Sequence, residues 1–251
     1  MTERLQGRTA LVTGSTDGLG AGIARALADE GAFVVVSGRN AARGEKVVAE
    51  IAERGGSAMF VRADLAGGGP AIRELADAAH AAAGGPLDIL VNNAAMLISP
   101  APTAAIGEDL IDGALAVNVK AAILLTGLIA PRMAGRGQGA IVNVGSINGL
   151  VGMAESALYS ATKAAIHSLT KSWAAEYGPA SVRVNTVAPG PTATERNLAF
   201  ADRIAPIIGR APSRRMSTPE GVGQAVVFLV SDEASNIHGA TLSVDGGFSA
   251  T

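Results

Sequence analysis

Short apolar runs alternate with longer segments of helical periodicity along nearly the whole chain. The apolar runs are rich in β-branched residues, as in TALVT at 9–13 and FVVVS at 33–37. Continuous apolar strands of this kind are typical of parallel sheets that are covered on both faces. The pattern predicts seven strands, near residues 9–13, 33–37, 58–62, 87–92, 139–146, 182–189 and 240–245.

The segments between these runs have apolar residues at the spacing of one helix face. Strands that alternate with helices form βαβ units, and these build a doubly wound parallel α/β sheet with helices on both faces. No linker, composition shift or repeat divides the chain, so we predict a single domain over 1–251. The predicted helices lie near 18–30, 41–54, 70–83, 104–134, 156–177 and 219–231.

The longest stretch without a clear pattern is 190–216, which has only weak helical periodicity. Long loops in compact domains are usually functional lids or disordered segments. We therefore predict a substrate lid here. Thr218 and Pro219 follow it as the cap and first residue of the last helix. The prolines and clustered arginines of the lid are Pro191, Pro206, Pro212, Arg210, Arg214 and Arg215.

Composition excludes several classes of protein. The formal charge of −2 gives no basic face for nucleic acid. Cysteine is absent, which excludes disulfides and thiolate chemistry, and the three histidines lack the spacing of metal ligands, so we predict no metal site. The N-terminus has no signal-peptide pattern, and no apolar run approaches the ~18 residues of a membrane span. We expect a soluble cytoplasmic protein without a membrane partner.

A glycine-rich turn joins the first strand to the first helix. Glycines there allow a tight turn and close approach of a pyrophosphate, which the helix N-terminus attracts. Flexible loops and helix caps also collect glycine, but the position between strand and helix favours a dinucleotide site and a Rossmann-type sheet. The predicted cofactor residues of this turn are Gly14, Ser15, Thr16, Asp17, Gly18, Leu19 and Gly20.

The end of the second strand predicts which cofactor binds. An acidic residue there would bind a ribose 2′-hydroxyl, whereas an arginine accommodates a 2′-phosphate. The segment VVVSGRN has Gly38 and then Arg39, which favours NADP(H) over NAD(H). The alternative is an exposed arginine that merely begins the next helix. Asp64 and Leu65, after the third strand, are predicted to lie near the adenine.

The stretch SALYSATKAAIH contains a tyrosine and a lysine at helical spacing. Residues four apart on a helix are neighbours, so Tyr159 and Lys163 should lie side by side. A cation beside a phenol lowers its pKa from ~10, and such a phenol could give or take a proton near neutral pH. The alternative is a core tyrosine beside a solvated lysine.

Several motifs together, in order along the chain, resemble the classical short-chain dehydrogenase/reductase family, in its 3-oxoacyl-carrier-protein reductase-like branch. The resemblance covers essentially the whole chain. Ala95 departs from the family's Asn-Asn-Ala-Gly motif. The matching positions are the glycine turn at 13–20, Asn92-Asn93-Ala94-Ala95, Asn118, Ser146, Tyr159, Lys163, Pro189-Gly190 with Thr194, and Asp245-Gly246-Gly247.

The resemblance implies a catalytic tetrad. Tyr159 would be the general acid or base at the reacting oxygen, and Lys163 would lower its pKa and bind the nicotinamide ribose. Ser146 would donate a hydrogen bond to the same oxygen, and Asn118 would hold a water that links Lys163 to solvent. Without the resemblance, Ser146 would be interpreted as a turn residue and Asn118 as a buried structural amide.

The resemblance also implies further cofactor contacts, a substrate class and an assembly. It implies hydride exchange between NADP(H), or NAD(H), and a carbonyl compound such as a 3-oxoacyl or similar medium-sized ketone. Helices over 104–134 and 156–177 would pair across subunits of a homotetramer. Two alternatives remain open: an NAD-linked alcohol or sugar dehydrogenase, and a catalytically silent nucleotide-binding regulator. The further cofactor residues are Asn92, Ala94, Pro189, Gly190, Thr192 and Thr194.

Overall fold

The computed structural model describes residues 3–251, apart from the side chain of Arg203. Seven parallel strands form one sheet in the order β3-β2-β1-β4-β5-β6-β7. This is the predicted doubly wound topology, in which the chain starts in the middle of the sheet and winds outward in both directions. The strands are β1 Thr9–Thr13, β2 Phe33–Gly38, β3 Ser57–Arg62, β4 Ile89–Asn92, β5 Gly139–Val144, β6 Val182–Pro189 and β7 Thr241–Val244.

Helices cover both faces of the sheet. They are α1 Gly18–Asp29, α2 Ala41–Glu53, α3 Gly68–Ala82, α4 Glu108–Leu115, α5 Ala121–Ala134, α6 Ala157–Tyr177, α7 Glu195–Leu198, α8 Ala201–Arg210 and α9 Pro219–Val230. One core lies between the sheet and α1, α2 and α9, and includes Ile23 and Val226. The other lies under α3, α5 and α6, and includes Leu75, Ile129 and Trp173. The predicted Rossmann-type α/β fold is confirmed.

The lid is more regular than its sequence pattern predicted. Two short helices, α7 and α8, lie within 190–216, and Pro206 is inside α8. The predicted start of the last helix is confirmed, because the Thr218 hydroxyl accepts the Gly221 N–H at 3.0 Å and Pro219 follows as the first helical residue.

The long helical segment Glu108–Ala134 consists of α4, a π-helical turn over Ala116–Lys120, and α5. By length and composition alone it could cross a membrane, because an 18-residue window of it has a mean hydropathy of 1.8. It carries five charged residues, and the buried face of α5, with Leu125 and Ile129, packs into the core against the sheet. We therefore interpret it as a core helix.

Candidate active site

Many of the predicted site residues lie at the carboxyl ends of the strands. In a doubly wound sheet, ligands bind where neighbouring strands lead to opposite faces, outside those ends. Here that point lies between β1, which pairs with β2 on one side, and β4 on the other. The glycine turn follows β1, the Asn92–Ala95 motif follows β4, and Ser146 follows β5.

The glycine turn has no room for side chains at its key positions. Gly14 and Gly18 have φ of +63° and +50°, which side chains rarely adopt. A Cβ at Gly14 would lie 2.8 Å from the Cα of Ala94, and one at Gly20 would lie 2.3 Å from the Gly14 carbonyl oxygen. The turn therefore brings bare backbone to the N-terminus of α1, and this arrangement fits a dinucleotide pyrophosphate.

Two polar side chains hold the glycine turn in place. Ser15 is fully buried: its hydroxyl donates to the Val12 carbonyl and accepts the Ser37 N–H, so it ties the turn to β2. The Asn93 amide donates to the carbonyl oxygens of Thr13 and Gly14 at 2.8 and 3.0 Å. Asn93 was not predicted as a site residue, although its place in the Asn-Asn-Ala motif was the available signal.

The end of the cleft where the adenosine is predicted to bind has three exposed arginines. A Cβ at Gly38 would lie 2.7 Å from Thr16, so the acid typical of NAD-binding folds has no space there. Arg39 follows directly and is exposed, and its carbonyl accepts the Arg62 guanidinium at 3.2 Å. Arg62 and Arg43, on β3 and α2, were missed because each resembles an ordinary surface charge in the sequence.

Asp17 brings a negative charge to the same region. Its carboxylate pairs with the Arg43 guanidinium at 2.6 Å, and both side chains are more than 60% exposed, at 63% and 61%. An exposed ion pair of this kind contributes little stability. Its effect on a ligand is larger, because Asp17 offsets one of the arginine charges.

Asp64 and Asn92 use their side chains within the protein. The Asp64 carboxylate accepts the Ala66 N–H and begins the short 3₁₀ turn that contains Leu65. Asn92 is buried, and its amide donates to the side-chain oxygens of Thr126 and Asn143. Asn92 therefore supports the sheet behind the cleft, while Ala94 lies at the glycine turn.

Ser146 and Tyr159 are brought together from different elements. Ser146 lies two residues after the end of β5, and its hydroxyl accepts the Asn148 N–H at 3.1 Å to begin a 3₁₀ turn. Tyr159 lies in the first turn of α6, and its hydroxyl is near enough to the Ser146 side chain for that side chain to lower the Tyr159 pKa. Because a Cβ at Gly149 would lie 2.8 Å from the backbone of Lys163, a glycine is needed for this close packing on α6. The pair offers two hydroxyls to one reacting oxygen.

Lys163 lies one helical turn after Tyr159, as its spacing predicted. It is only 4% exposed, and its ammonium donates to the Val144 carbonyl at 2.8 Å and lies 5.7 Å from the centre of the Tyr159 ring. Burial lowers the pKa of Lys163 to about 8. A solvated lysine is therefore excluded, and the side chain is a buried cation beside the phenol at neutral pH.

The Tyr159 pKa moves in the opposite direction from the one predicted. Burial raises it, and the hydrogen bond from Ser146 and the charge of Arg196 oppose the rise without cancelling it. The prediction that Lys163 lowers the Tyr159 pKa below its ordinary value is therefore wrong for this structure. The cost of burying the phenolate outweighs the effects of Ser146 and Arg196, which favour it. At neutral pH, Tyr159 is a protonated phenol that can donate. Arg196, in α7, was not predicted as a site residue.

Asn118 lies in the π-helical turn and is 3% exposed. Its amide oxygen accepts the Met96 N–H at 2.6 Å, and its amide nitrogen donates to the Met96 carbonyl and to Thr162. Asn118 thus holds the loop after β4 against α6. It shares a small cleft with Lys163 and Ala94, where a water could bridge them.

The segment after β6 returns to the glycine turn. Thr194 lies against that turn, because a Cβ at Gly18 would be 3.5 Å from its methyl group. A Cβ at Gly190 would lie 3.0 Å from Asp245, so Pro189-Gly190 packs closely on the segment after β7. Thr192 is buried, and its hydroxyl donates to the Gly190 carbonyl. The predicted segment therefore lies beside the cofactor cleft.

His167 is a further residue, and it lies behind Ser146. Its Nε2 accepts the Ser146 N–H at 3.4 Å, and burial lowers its pKa to about 4, so the imidazole is neutral. A Cβ at Gly145 would lie 2.1 Å from that nitrogen. No sequence pattern indicates this contact, because a lone histidine two turns after Tyr159 has no recognised chemistry.

Comparison with known proteins gives matches over the whole chain. Residues 14–249 match a family model described as enoyl-(acyl carrier protein) reductase. The chain is 39% identical over 251 residues to cis-4-hydroxycyclohexanecarboxylate dehydrogenase of Sinomonas cyclohexanicum, covering 100% of both chains. It is 38% identical to cyclopentanol dehydrogenase of Comamonas sp., covering 98% of this chain and 99% of that one.

Solved structures are similar over the same length. One, described as a short chain dehydrogenase/reductase family protein, has a TM-score of 0.89 at 42% identity and covers 99% of this chain and 100% of that one. Another, a putative 2-deoxy-d-gluconate 3-dehydrogenase from Agrobacterium tumefaciens with bound NADP, has a TM-score of 0.90 at 36% identity. It covers 100% of this chain and 99% of that one.

Proposed function

The chain belongs to the short-chain dehydrogenase/reductase family, and within that family we propose an NADP(H)-dependent enzyme that interconverts a medium-sized secondary alcohol and its ketone. Members of the family are oxidoreductases of alcohol and carbonyl groups that use NAD(P). The observation that carries the proposal is the buried Lys163 ammonium, which lies 5.7 Å from the centre of the Tyr159 ring, with Ser146 near the same phenol. A regulator that only bound nucleotides would not need this buried cation, whose burial lowers the stability of the folded protein.

A bound nicotinamide would supply or accept the hydride. The protein residues would transfer the hydroxyl proton and stabilise the negative charge on the reacting oxygen. In reduction, the Tyr159 hydroxyl donates its proton to the carbonyl oxygen, and the Ser146 hydroxyl stabilises the charge that develops there. Lys163 favours the phenolate that is left. Asn118 lines the cleft beside Lys163, where a water would return a proton from solvent to the Tyr159 phenolate by way of Lys163. Oxidation uses the same groups in reverse.

The substrate is proposed to be mostly apolar and of moderate size. The cleft beside Tyr159 is lined by apolar side chains that include Ile98, Leu110 and Leu158. The relatives named above include dehydrogenases of cyclopentanol and of a hydroxycyclohexane carboxylate, which supports a cyclic secondary alcohol. A 3-oxoacyl thioester, as the resemblance implied, remains a second candidate that the same assay tests.

The test of the reaction is the oxidation of NADPH or NADH by a panel of cyclic ketones, 4-oxocyclohexanecarboxylate, keto-sugars and 3-oxoacyl thioesters. Tyr159→Phe should lower kcat by about 10²–10⁴-fold, the usual contribution of general acid catalysis. Tyr177→Phe is the matched control, since Tyr177 is the other tyrosine and ends the same helix. Full activity in Tyr159→Phe would refute the mechanism. Tight cofactor binding without turnover of any ketone would favour the regulator.

The preference for NADP(H) is proposed from Arg39, Arg43 and Arg62 at the adenosine end and from the lack of space for an acid at Gly38. Arg39→Ala should weaken NADPH binding by about 10–100-fold, as expected for a lost hydrogen bond to a charged group. NADH binding should change less than about twofold. Equal losses for both cofactors in calorimetry would refute the assignment.

Asp17 is the specific observation that favours the alternative, an NAD-linked alcohol or sugar dehydrogenase. A carboxylate near the adenosine ribose repels a 2′-phosphate and can accept its 2′-hydroxyl instead. If the Asp17–Arg43 pair opens toward the ligand, NADH should bind more tightly than NADPH in the parent enzyme. Asp17→Ser should then shift the ratio of the two dissociation constants toward NADPH.

A homotetramer is proposed from the surface of the segment Glu108–Ala134. Three large apolar side chains on it, Ile111, Leu115 and Ile123, are 36–44% exposed, and large exposed apolar patches mark protein–protein interfaces. Sedimentation of the purified protein at micromolar concentration tests the assembly, and a monomer would refute it. The cytoplasmic location stays a prediction.

A further inference from the structure

One face of α6 holds the end of β5. Tyr159, Lys163 and His167 follow each other at four-residue spacing, so they line the same side of the helix. Lys163 donates to the carbonyl of Val144, the last residue of β5, at 2.8 Å. His167, one turn further along the helix, accepts the Ser146 N–H on its Nε2 at 3.4 Å. The helix face that carries Tyr159 therefore also fixes the backbone of Ser146.

Ser146 is the first residue beyond the hydrogen-bond ladder of the sheet. The bonds between β5 and β6 continue as far as Gly145, whose N–H donates to the Val187 carbonyl at 2.8 Å. The Ser146 carbonyl accepts the Gly149 N–H at 3.0 Å, within the 3₁₀ turn. The N–H of Ser146, which is a buried residue, donates to the His167 ring. Because a buried N–H without an acceptor is costly, the imidazole takes the place of the strand carbonyl that is missing here.

The space for the imidazole is built into the backbone beside it. A Cβ at Gly145 would lie 2.1 Å from Nε2 of His167, so only glycine lets the ring approach this closely. His167 is buried, and its Nδ1 has no hydrogen-bond partner in the part of the chain that the structure describes. A leucine could fill this space without burying an unpaired polar atom. Packing alone therefore does not account for a histidine at this position, whereas the need for an acceptor at Ser146 does.

The ring has the charge state that this contact requires. Only an unprotonated Nε2 can accept a hydrogen bond, so the neutral imidazole carries its proton on Nδ1. Burial, together with the charges of Lys163 and Lys171, lowers the pKa of His167 to about 4. The imidazole is therefore neutral at pH 7, and the Ser146 N–H selects the form that is protonated on Nδ1.

We propose that His167 is a positioning residue, which holds the Ser146 backbone so that the Ser146 hydroxyl meets the charge that develops on the reacting oxygen. The inference rests on the proposed function, because it adds a residue to the same site. His167 acts through Ser146 and exchanges no proton with the substrate. Its contribution belongs to the chemical step and not to substrate binding, since the charge that Ser146 stabilises develops only during the reaction.

The first measurement is the tautomer of His167, which does not depend on turnover. The ring ¹⁵N shifts of the three histidines at pH 7 distinguish protonated from unprotonated ring nitrogens, and the signals lost in His167→Gln assign this residue. His167 should have a proton on Nδ1 and none on Nε2. A proton on Nε2, or on both nitrogens, would overturn the proposal.

The second measurement compares kinetic constants for the ketone that the parent reduces fastest. His167→Leu fills the space but removes the acceptor, whereas His167→Gln keeps a side-chain oxygen that can accept the Ser146 N–H. His167→Leu should lower kcat by about 5–100-fold with KM nearly unchanged. His167→Gln should keep kcat within about threefold of the parent.

Thr170→Val is the matched control for a structural effect. Thr170 is also a buried polar residue of α6, but its hydroxyl bonds to Thr186 and to the Ile166 carbonyl and not to Ser146. The substitution should therefore lower the melting temperature and leave kcat unchanged. A kcat that fell as far in Thr170→Val as in His167→Leu would show a general loosening of α6 and would overturn the positioning role.

The outcomes separate this proposal from the proposed function. Equal values of kcat in the parent and His167→Leu, or equal losses in His167→Leu and His167→Gln, would overturn the positioning role while the reaction stood. A parent that reduced no ketone of the panel would overturn the proposed reaction and, with it, the catalytic role of His167. In that case the tautomer would still decide whether the hydrogen bond to Ser146 exists.

Discussion

Lys163 gives the most direct test of how the site is built, because its burial has a measurable cost. The side chain is 4% exposed, and burial lowers its pKa from 10.5 to about 8. Lys163→Met replaces the buried cation with an apolar side chain of similar length. We expect the variant to lose activity and, at neutral pH, to avoid the cost of burying a charge.

The magnitude follows from the two pKa values. Between pH 8 and 10.5 the unfolded chain holds a proton on this lysine more firmly than the folded protein does. The folded state therefore gains stability as the pH rises through that window. Integrated from pH 7 to 9.5, the gain for this side chain is about 2 kcal/mol. In the variant the Val144 carbonyl loses its hydrogen-bond donor, which costs about 1–3 kcal/mol of stability. This loss is the same at both pH values, so it does not affect the difference between them.

The assay is urea unfolding at pH 7 and 9.5, at matched protein concentration, followed by the fluorescence of Trp173, the single buried tryptophan. Relative to Lys163→Met, the parent should gain about 2 kcal/mol of unfolding free energy over this interval. Lys46→Met is the control, since Lys46 is 77% exposed, and its difference from the parent should stay constant. If the parent and Lys163→Met changed in parallel, the lysine would not titrate as a buried group.

Three further changes test other parts of the site. Gly20→Ala should weaken NADP(H) binding by more than about 10-fold in calorimetry, because its Cβ would lie 2.3 Å from the Gly14 carbonyl oxygen. Unchanged binding would contradict the proposal that the glycine turn binds the pyrophosphate. Gly145→Ala should lower kcat and the melting temperature together, since its Cβ would meet the buried ring of His167 at 2.1 Å. Alcohol oxidation should accelerate with pH beyond 9 while ketone reduction stays flat, because the raised pKa keeps Tyr159 protonated; a reduction rate that already fell near pH 7 would show a lowered pKa instead.

The strands and most helices were predictable because their patterns are periodic and strong. β1 and β2 are continuous apolar runs, and the two glycine positions with positive φ follow β1 immediately. The pairing of Tyr159 with Lys163 required only the helical repeat. The resemblance then connected these local signals to Ser146 and Asn118, which single-sequence patterns alone would assign to a turn and to the core.

The remaining features depend on three-dimensional contacts that a sequence pattern does not contain. The π-helical turn around Asn118 is held by Met96, from another loop. The contact of His167 with Ser146 depends on the space left by Gly145. The pKa of Tyr159 was mispredicted because its local neighbour was visible in the sequence, whereas its burial by distant segments was not.

Substrate selection and catalysis are carried by parts of the fold with different constraints. The groups proposed to transfer the proton lie just after β5 and on α6, where burial and close packing leave little freedom: Gly149 contacts Lys163, and His167 contacts Ser146. Arg196 is instead on a four-residue helix whose side chains are largely exposed. A substitution there changes few packed contacts, so the lid can change while Tyr159, Ser146 and Lys163 stay in place. For this reason lid variants should alter which alcohol is bound without altering how its proton is removed.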